Sequence, residues 1–346
     1  RNHSSAASDV YKRQLIKWGI DNFEKYGFNV ERLETPELPL LLASKIISEK
    51  AKTILIYLQF DGQPVDNSKW NQEDPYKAVL KEKINEKYEI IDWDTLEDIT
   101  MKDIIKKDLR IFARSSSDAK GPVMMILNAL EIMKRNDLNL KYNVKVIMDF
   151  EEEISSPNLA AAVKKYSTKL KSDALFIFDG PKHPSNLPTL TFGARGISDI
   201  TLITYGPIVP QHSGHFGNYA PNPVFRMSEI LSSMKDKDGR VAIEGFYDGI
   251  TLDEKTQAIL AGVPDDEKKM MEDMQFNTFD NVGANYQESI QYPSLNVRGI
   301  ESGWVREEVR TIVPSECIAE IDVRLVLESD PKRLHNLIQE HIKKLG

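Results

Sequence analysis

Cysteine is all but missing from this chain of 346 residues, where Cys317 stands alone. A single thiol excludes an intramolecular disulfide and removes any need for an oxidising compartment. Its expected role is that of a small buried apolar filler. Histidine is scarce as well. The six are His3, His183, His212, His215, His335 and His341, which leaves the whole stretch between His3 and His183 without an imidazole. No apolar run approaches the ~20 residues of a membrane-spanning helix. Basic excess is also lacking, with 45 Lys and Arg against 53 Asp and Glu and a formal net charge of −8. Nucleic-acid binding needs a basic face or stripe, so neither a nucleic-acid nor a membrane partner is expected. What remains is 41% hydrophobic and 28% charged, an ordinary globular composition. The length suits about two domains of ~150 residues.

Residues 1–14, RNHSSAASDVYKRQ, are polar and aperiodic, with no apolar core of the kind a signal peptide needs. DVYKRQ resembles a translated library adapter. The segment is expected to be foreign, is left out of the fold, and takes His3 out of any site. A cytoplasmic location is the expectation for the rest.

After it, apolar residues recur at three and four through LIKWGIDNFEKYG and ELPLLLASKIISEKA, which predicts helices over 15–50. Short β-rich runs predict strands at 52–60, 108–114, 142–150 and 174–180, with a helix over VMMILNALEIMKR. Strands alternating with helices imply a parallel or mixed α/β sheet. Each of these strands leads into polar or acidic residues: Gln59 and Asp61, Asp118, Glu152 and Glu153, and Asp179. In α/β sheets ligands bind beyond the carboxyl ends of the strands. Several carboxylates on one rim repel one another without a cation, so the pattern points to a metal site with more than one ion.

From about residue 190 the pattern changes to βαββα, which implies a small separate sheet with helices on one face. Within it, residues 236–285 are rich in Asp, Glu and Met and read as a partly helical, solvated insertion. The expected division is therefore a catalytic domain over 15–190 and a second domain over 191–346.

The segments YLQFDGQPVDNSKW, ARSSSDAKGP, DFEEEISSPNL, IFDG, HSGHFGNYAPNP, GFYDG and TIVPSECIAEIDVRLV occur in that order. Together they resemble the co-catalytic zinc peptidases and deacylases that include carnosinase, cytosolic non-specific dipeptidase, glutamate carboxypeptidase and acetylornithine deacetylase. SKW and GFYD look most like the dipeptidase branch. The resemblance implies a mixed-sheet α/β catalytic domain, incomplete at its C-terminal end, plus a lid that also serves for dimerisation. It implies two zinc ions bridged by Asp118, with Glu153 completing one site and Asp179 the other. Glu152 becomes the general base, Asp61 the carboxylate behind the metal, and His212 the group that polarises the scissile carbonyl. Arg324 would bind a substrate carboxylate, with Thr311 and Asn296 on neighbouring strands. The implied reaction is hydrolysis of an amide bond in a dipeptide or related N-acyl amino acid, by a homodimer.

Two departures follow from the same likeness. The family's first zinc histidine falls on Gln59, whose neutral carbonyl oxygen is a poorer zinc ligand. That position reads equally as a ligand, a substrate contact or a vacated site, and as a ligand it suits a harder ion such as manganese. The family's last zinc histidine has no counterpart before Gly346, so the chain is expected to be an inactive fragment of an active enzyme. An N-acyl amino acid deacylase or desuccinylase, and a non-catalytic homologue with a degraded metal site, stay open. So do plainer readings of single residues. Asp118 can be a helix-cap residue, Glu151–Glu153 a solvated charge run, Asp61 and Asp179 turn residues, His212 a loop hydrogen-bonder, and Arg324 a surface residue of its strand.

Overall fold

The computed structural model describes residues 5–180, 183 and 187–346, and for residues 5–10 the backbone alone. His3 and the first four residues of the segment read as foreign lie outside the described residues. The chain divides into two units, Arg1–Pro181 and Lys182–Gly346.

The N-terminal unit is built on a five-stranded mixed sheet. Its strands are β1 (Asn29–Leu33), β2 (Leu40–Lys45), β3 (Thr53–Gln59), β7 (Asn143–Asp149) and β8 (Ala174–Ile177). A second sheet holds β4 (Val79–Ile84), β5 (Lys87–Ile91) and β6 (Arg110–Phe112). The large sheet runs β1-β2-β7-β3-β8. Its first two pairings are antiparallel, and β3 is parallel to both β7 and β8.

Both faces of this sheet are covered at β2 and β7, while β8 at the edge is exposed. Leu41, Ala43, Leu58, Val146 and Met148 pack on one side with Ile16, Phe23, Val123 and Leu127. Leu40, Leu42, Leu55 and Ile147 pack on the other with Ala162 and Leu170. Helix Ser5–Glu24 reaches the first face through Ile16, Gly19, Ile20 and Phe23, at helical spacing. A Cβ at Gly19 would come within 3.3 Å of Leu41 Cδ1, so the helix lies close on the sheet. Residues 5–14, excluded from the fold on sequence grounds, run into this helix without a break. Helix Lys120–Arg135 meets the same face through Val123 and Leu127.

This double burial explains one failed expectation. ELPLLLASKIISEKA was read as helix, yet residues 40–45 form β2 with four consecutive buried residues. A strand covered on both faces shows no polar alternation, and its run of leucines then imitates helical spacing. Pro39, just ahead of it, has no backbone N–H to give to a helix. The strand expected over 108–114 is also shorter, at Arg110–Phe112, and lies in the second sheet with β4 and β5.

The C-terminal unit has the expected βαββα order. It contains β9 (Gly196–Tyr205), the two-residue strand β10 (Gln211–His212), helix Pro223–Ser233, β11 (Ser294–Glu301), the two-residue strand β12 (Ile312–Val313), β13 (Glu316–Leu325) and helix Pro331–Lys344. The sheet order is β11-β13-β9, all antiparallel. Ile321 and Val323 of β13 face Ile230, Leu334 and Ile338 from the two helices. Cys317 is fully buried with Met227 and Ala319, as expected for a filler. Helix Pro331–Lys344 begins where Asp330 accepts the backbone N–H of Lys332 and Arg333, with Pro331 preset for the first turn. The acidic insertion contains helices Glu254–Ala261 and Glu267–Met274. Its first residues are not solvated, because Val241, Ile243 and Phe246 are buried in the core of this unit.

Candidate functional site

Three parallel strands deliver the first part of the site. β3 ends at Gln59 and β7 at Asp149, which are register partners, and Asp179 lies two residues beyond the end of β8. Asp118 arrives differently, on the loop after β6 that leads into helix Lys120–Arg135. It does not cap that helix: the cap position is Ala119, with no side-chain hydrogen bond.

Gln59 is only 3% exposed. Its Nε2 donates to Asp118 Oδ1 at 3.2 Å and also to Asp179 Oδ1. Its Oε1 is buried without a hydrogen-bond partner. Asp179 Oδ1 accepts a further bond from the N–H of Gly180 at 2.8 Å. Asp61, 6% exposed, accepts the backbone N–H groups of Glu152 and Glu153 at 3.3 and 3.2 Å. It thus pins the loop that carries both glutamates. Gln63 Nε2 donates to Glu153 Oε2 at 2.8 Å.

Close approach of the backbone is what brings these loops together. A Cβ on Gly62 would sit 1.8 Å from Ser115 Oγ, and one on Gly180 would sit 3.1 Å from Ser117 O. Any side chain at Gly62 would have to displace the Ser115 side chain on the loop before Asp118.

The crowding shows in the acidities. Burial, then the charges of Asp179, Glu153, Asp61 and Asp118, push the Glu152 carboxyl up to about 7. Burial, then Asp179 and Glu153, push Asp118 above the ordinary carboxylate range, with Arg114 pulling the other way. Asp61 is raised by burial against the lowering effect of its backbone hydrogen bonds. A carboxyl that titrates near neutrality is suited to taking up and releasing a proton.

Beneath this rim lie two buried acids: Asp149, which sequence reasoning missed, and Glu151, which it had read only within a solvated charge run. Asp149 is 2% exposed and accepts from Tyr57 Oη, Ser156 Oγ and the N–H of Glu151. Glu151, 5% exposed, accepts from Asn158 Nδ2. The available signal was the unbroken run Asp149-Phe150-Glu151 at the end of a buried strand, since carboxylates there need hydrogen-bond partners.

The remaining candidates belong to the C-terminal unit. His212 and Thr311 are neighbours: β10 pairs with β12, His212 opposite Ile312, and the N–H of Ser213 bonds Thr311 O. His212 Nδ1 accepts the N–H of Gly214 at 3.0 Å, and its ring centroid lies 5.0 Å from that of His215. Asn296 and Arg324 share one face of the sheet around Asp322, which is 7% exposed. Asn296 Nδ2 donates to Asp322 Oδ1 at 2.8 Å, and Arg324 Nε lies 3.7 Å from Asp322 Oδ2. His335 and His341 bond Ser198 and Ser233 within the unit.

Residues 192–346 match the model of the peptidase dimerisation domain. The chain is 24% identical to the Cys-Gly metallodipeptidase dug1 of Schizosaccharomyces pombe, over 99% of this chain and 70% of that protein. To the Beta-Ala-His dipeptidase of Mus musculus it is 25% identical, over 95% of this chain and 65% of the other. A crystal structure of an M20 family metallo-carboxypeptidase, Sso-CP2 from Sulfolobus solfataricus, superposes with a TM-score of 0.73 at 29% identity, covering 95% of this chain and 69% of that one. This chain is a homologue of the M20 metallopeptidases. It spans 65–70% of the length of these relatives.

For an M20 homologue the expected metal must be tested against the residues present. Asp118, Glu153 and Asp179 are gathered as the resemblance implied, but each carboxylate is engaged by an amide hydrogen, from Gln59 or Gln63. Among the described residues no group of three or more His, Cys, Asp or Glu side chains is placed to hold a metal ion. The arrangement as it stands does not fit the two-zinc centre. Among the described residues no helix is long and apolar enough to cross a membrane.

Proposed function

We propose that the protein hydrolyses the amide bond of a dipeptide or related N-acyl amino acid, with Glu152 as the proton acceptor. One observation carries this reading: the Glu152 carboxyl sits at the carboxyl ends of parallel strands, pushed up to about 7 by burial and by four neighbouring acids. Such a group takes a proton from water as it attacks and returns it to the leaving amine. The relatives named as dipeptidases supply the substrate class. Asp61 holds the Glu152 backbone in place through its hydrogen bond. His212 is assigned the developing oxyanion and Arg324 the substrate carboxylate, for which a planar guanidinium fork is well shaped. Thr311 and Asn296 are assigned further contacts with the substrate. A homodimer formed through the dimerisation domain and a cytosolic location belong to this proposal; light scattering that returns only monomer overturns the dimer.

The test is hydrolysis of Cys-Gly and β-Ala-His, beside a panel of N-acyl amino acids, by the full-length protein and its Glu152→Gln variant. Turnover of a dipeptide lost in the variant supports the reading, and unchanged turnover ends it. Turnover confined to N-acyl amino acids selects the deacylase. A second reading, a non-catalytic homologue, is favoured by Gln59 lying between Asp118 and Asp179, and it predicts no turnover in either form.

A further inference from the structure

The disagreement at Gln59 leads further than the proposed activity. The side chain is almost fully buried, and its one amide nitrogen serves two carboxylates from different loops. An ion shared by Asp118 and Asp179 would need their oxygens about 2.0–2.2 Å away. The nitrogen already lies within hydrogen-bond reach of both, so an ion and this amide compete for the same place.

The amide orientation is set by charge. Turning it through half a rotation would aim Oε1 at two acidic oxygens. As it stands, the nitrogen is satisfied twice, and Oε1 is left in a buried position with no partner. That orphaned oxygen shows what decides the packing: the two acids are served at the expense of the carbonyl. Asp179 also keeps its own backbone in place, because its Oδ1 accepts the N–H of Gly180.

We propose that Gln59 stands in for a metal ion: its amide clamps Asp118 to Asp179 and the pair takes up no ion of its own. The clamp does the structural part of a cation's work by holding two acids together, without the electrophilic part. The inference concerns the same site as the proposed hydrolysis but rests on hydrogen bonds alone, and its test reads no turnover, so either can fail without the other.

The experiment measures ions bound per chain after dialysis against zinc chloride or manganese(II) chloride, together with thermal unfolding with and without each salt. It uses the wild type, Gln59→Ala and Gln59→His. The wild type should unfold at the same temperature with chelator as with either salt. Gln59→Ala removes the donor and leaves two acids facing each other. It should unfold at a lower temperature, recover with manganese, and hold more ion than the wild type. Gln59→His should gain a zinc ion per chain, with zinc affinity about tenfold or more above wild type. If Gln59→Ala holds fewer ions than the wild type, Gln59 is a ligand and the proposal is overturned. It is overturned equally if manganese raises the wild-type unfolding temperature as much as that of Gln59→Ala. Should Gln59→His fail to fold, the alanine variant decides alone.

Discussion

At the strand ends of the N-terminal unit Asp61, Asp149 and Glu151 are buried and tied down, while in the C-terminal unit Asn296 and Arg324 stand on an open strand face. Asp149 and Asp61 each hold backbone N–H groups, so the main chain itself depends on them. Asp322 holds only the tips of Asn296 and Arg324, the latter 47% exposed in its side chain. The first region fixes geometry in advance. The second offers side chains that can follow a ligand at little cost to the fold. Precision and adaptability are thus assigned to different sheets of one chain.

Breaking this contrast should be most visible in turnover. Glu152→Gln should lower kcat for the dipeptide by about 100-fold or more, the usual share of general acid–base catalysis, with circular dichroism unchanged. Next in size is Asp149→Ala, which strands Tyr57 Oη and the N–H of Glu151. It should cost about 3 kcal/mol in urea unfolding, against about 1 kcal/mol for Asp322→Ala. Equal losses at the two aspartates would erase the distinction. Gly62→Ala must displace Ser115 and should cost about 1–3 kcal/mol, with the loss of activity exceeding the loss of stability. Arg324→Ala should raise KM for the dipeptide about 10- to 100-fold, the size of a charged hydrogen bond, and leave unfolding within about 0.5 kcal/mol.

The smallest effect is one of acidity. Between the ordinary carboxylate range and about 7, the folded chain holds a proton on Glu152 that the unfolded chain has released. Stability should therefore fall as pH rises through that window. Glu152→Gln should flatten this part of the pH–stability curve, and a slope identical to wild type would mean that Glu152 titrates normally.

Much of this was legible in the sequence, for a physical reason. β3, β7 and β8 are short apolar runs that end abruptly in polar residues, so both the strands and their outlets could be read. The strands and helices of the C-terminal unit were equally plain, because one covered face gives clean periodicity. β2 was lost because burial on both faces erases that periodicity. The cluster of Asp118, Glu152, Glu153 and Asp179 was anticipated, whereas its partners were not. That Gln59 and Gln63 donate to these acids depends on side-chain direction across three loops, which no spacing encodes. Asp149 was overlooked because a charge inside an apolar strand end looks like the end itself.

The register of β3 against β7 has a consequence for how this protein can change over time. Gln59 lies opposite Asp149, and Leu58 and Phe60 on either side of it are buried in the apolar core. Inserting or deleting one residue in β3 would turn Phe60 or Leu58 toward the acids and send the amide into the core. Replacing residue 59 leaves the register, and with it the buried Leu58 and Phe60, where it was. The strand is thus closed to changes of length and open to changes of letter. Position 59 can exchange one chemistry for another by single substitutions while the strand pairing stays in register.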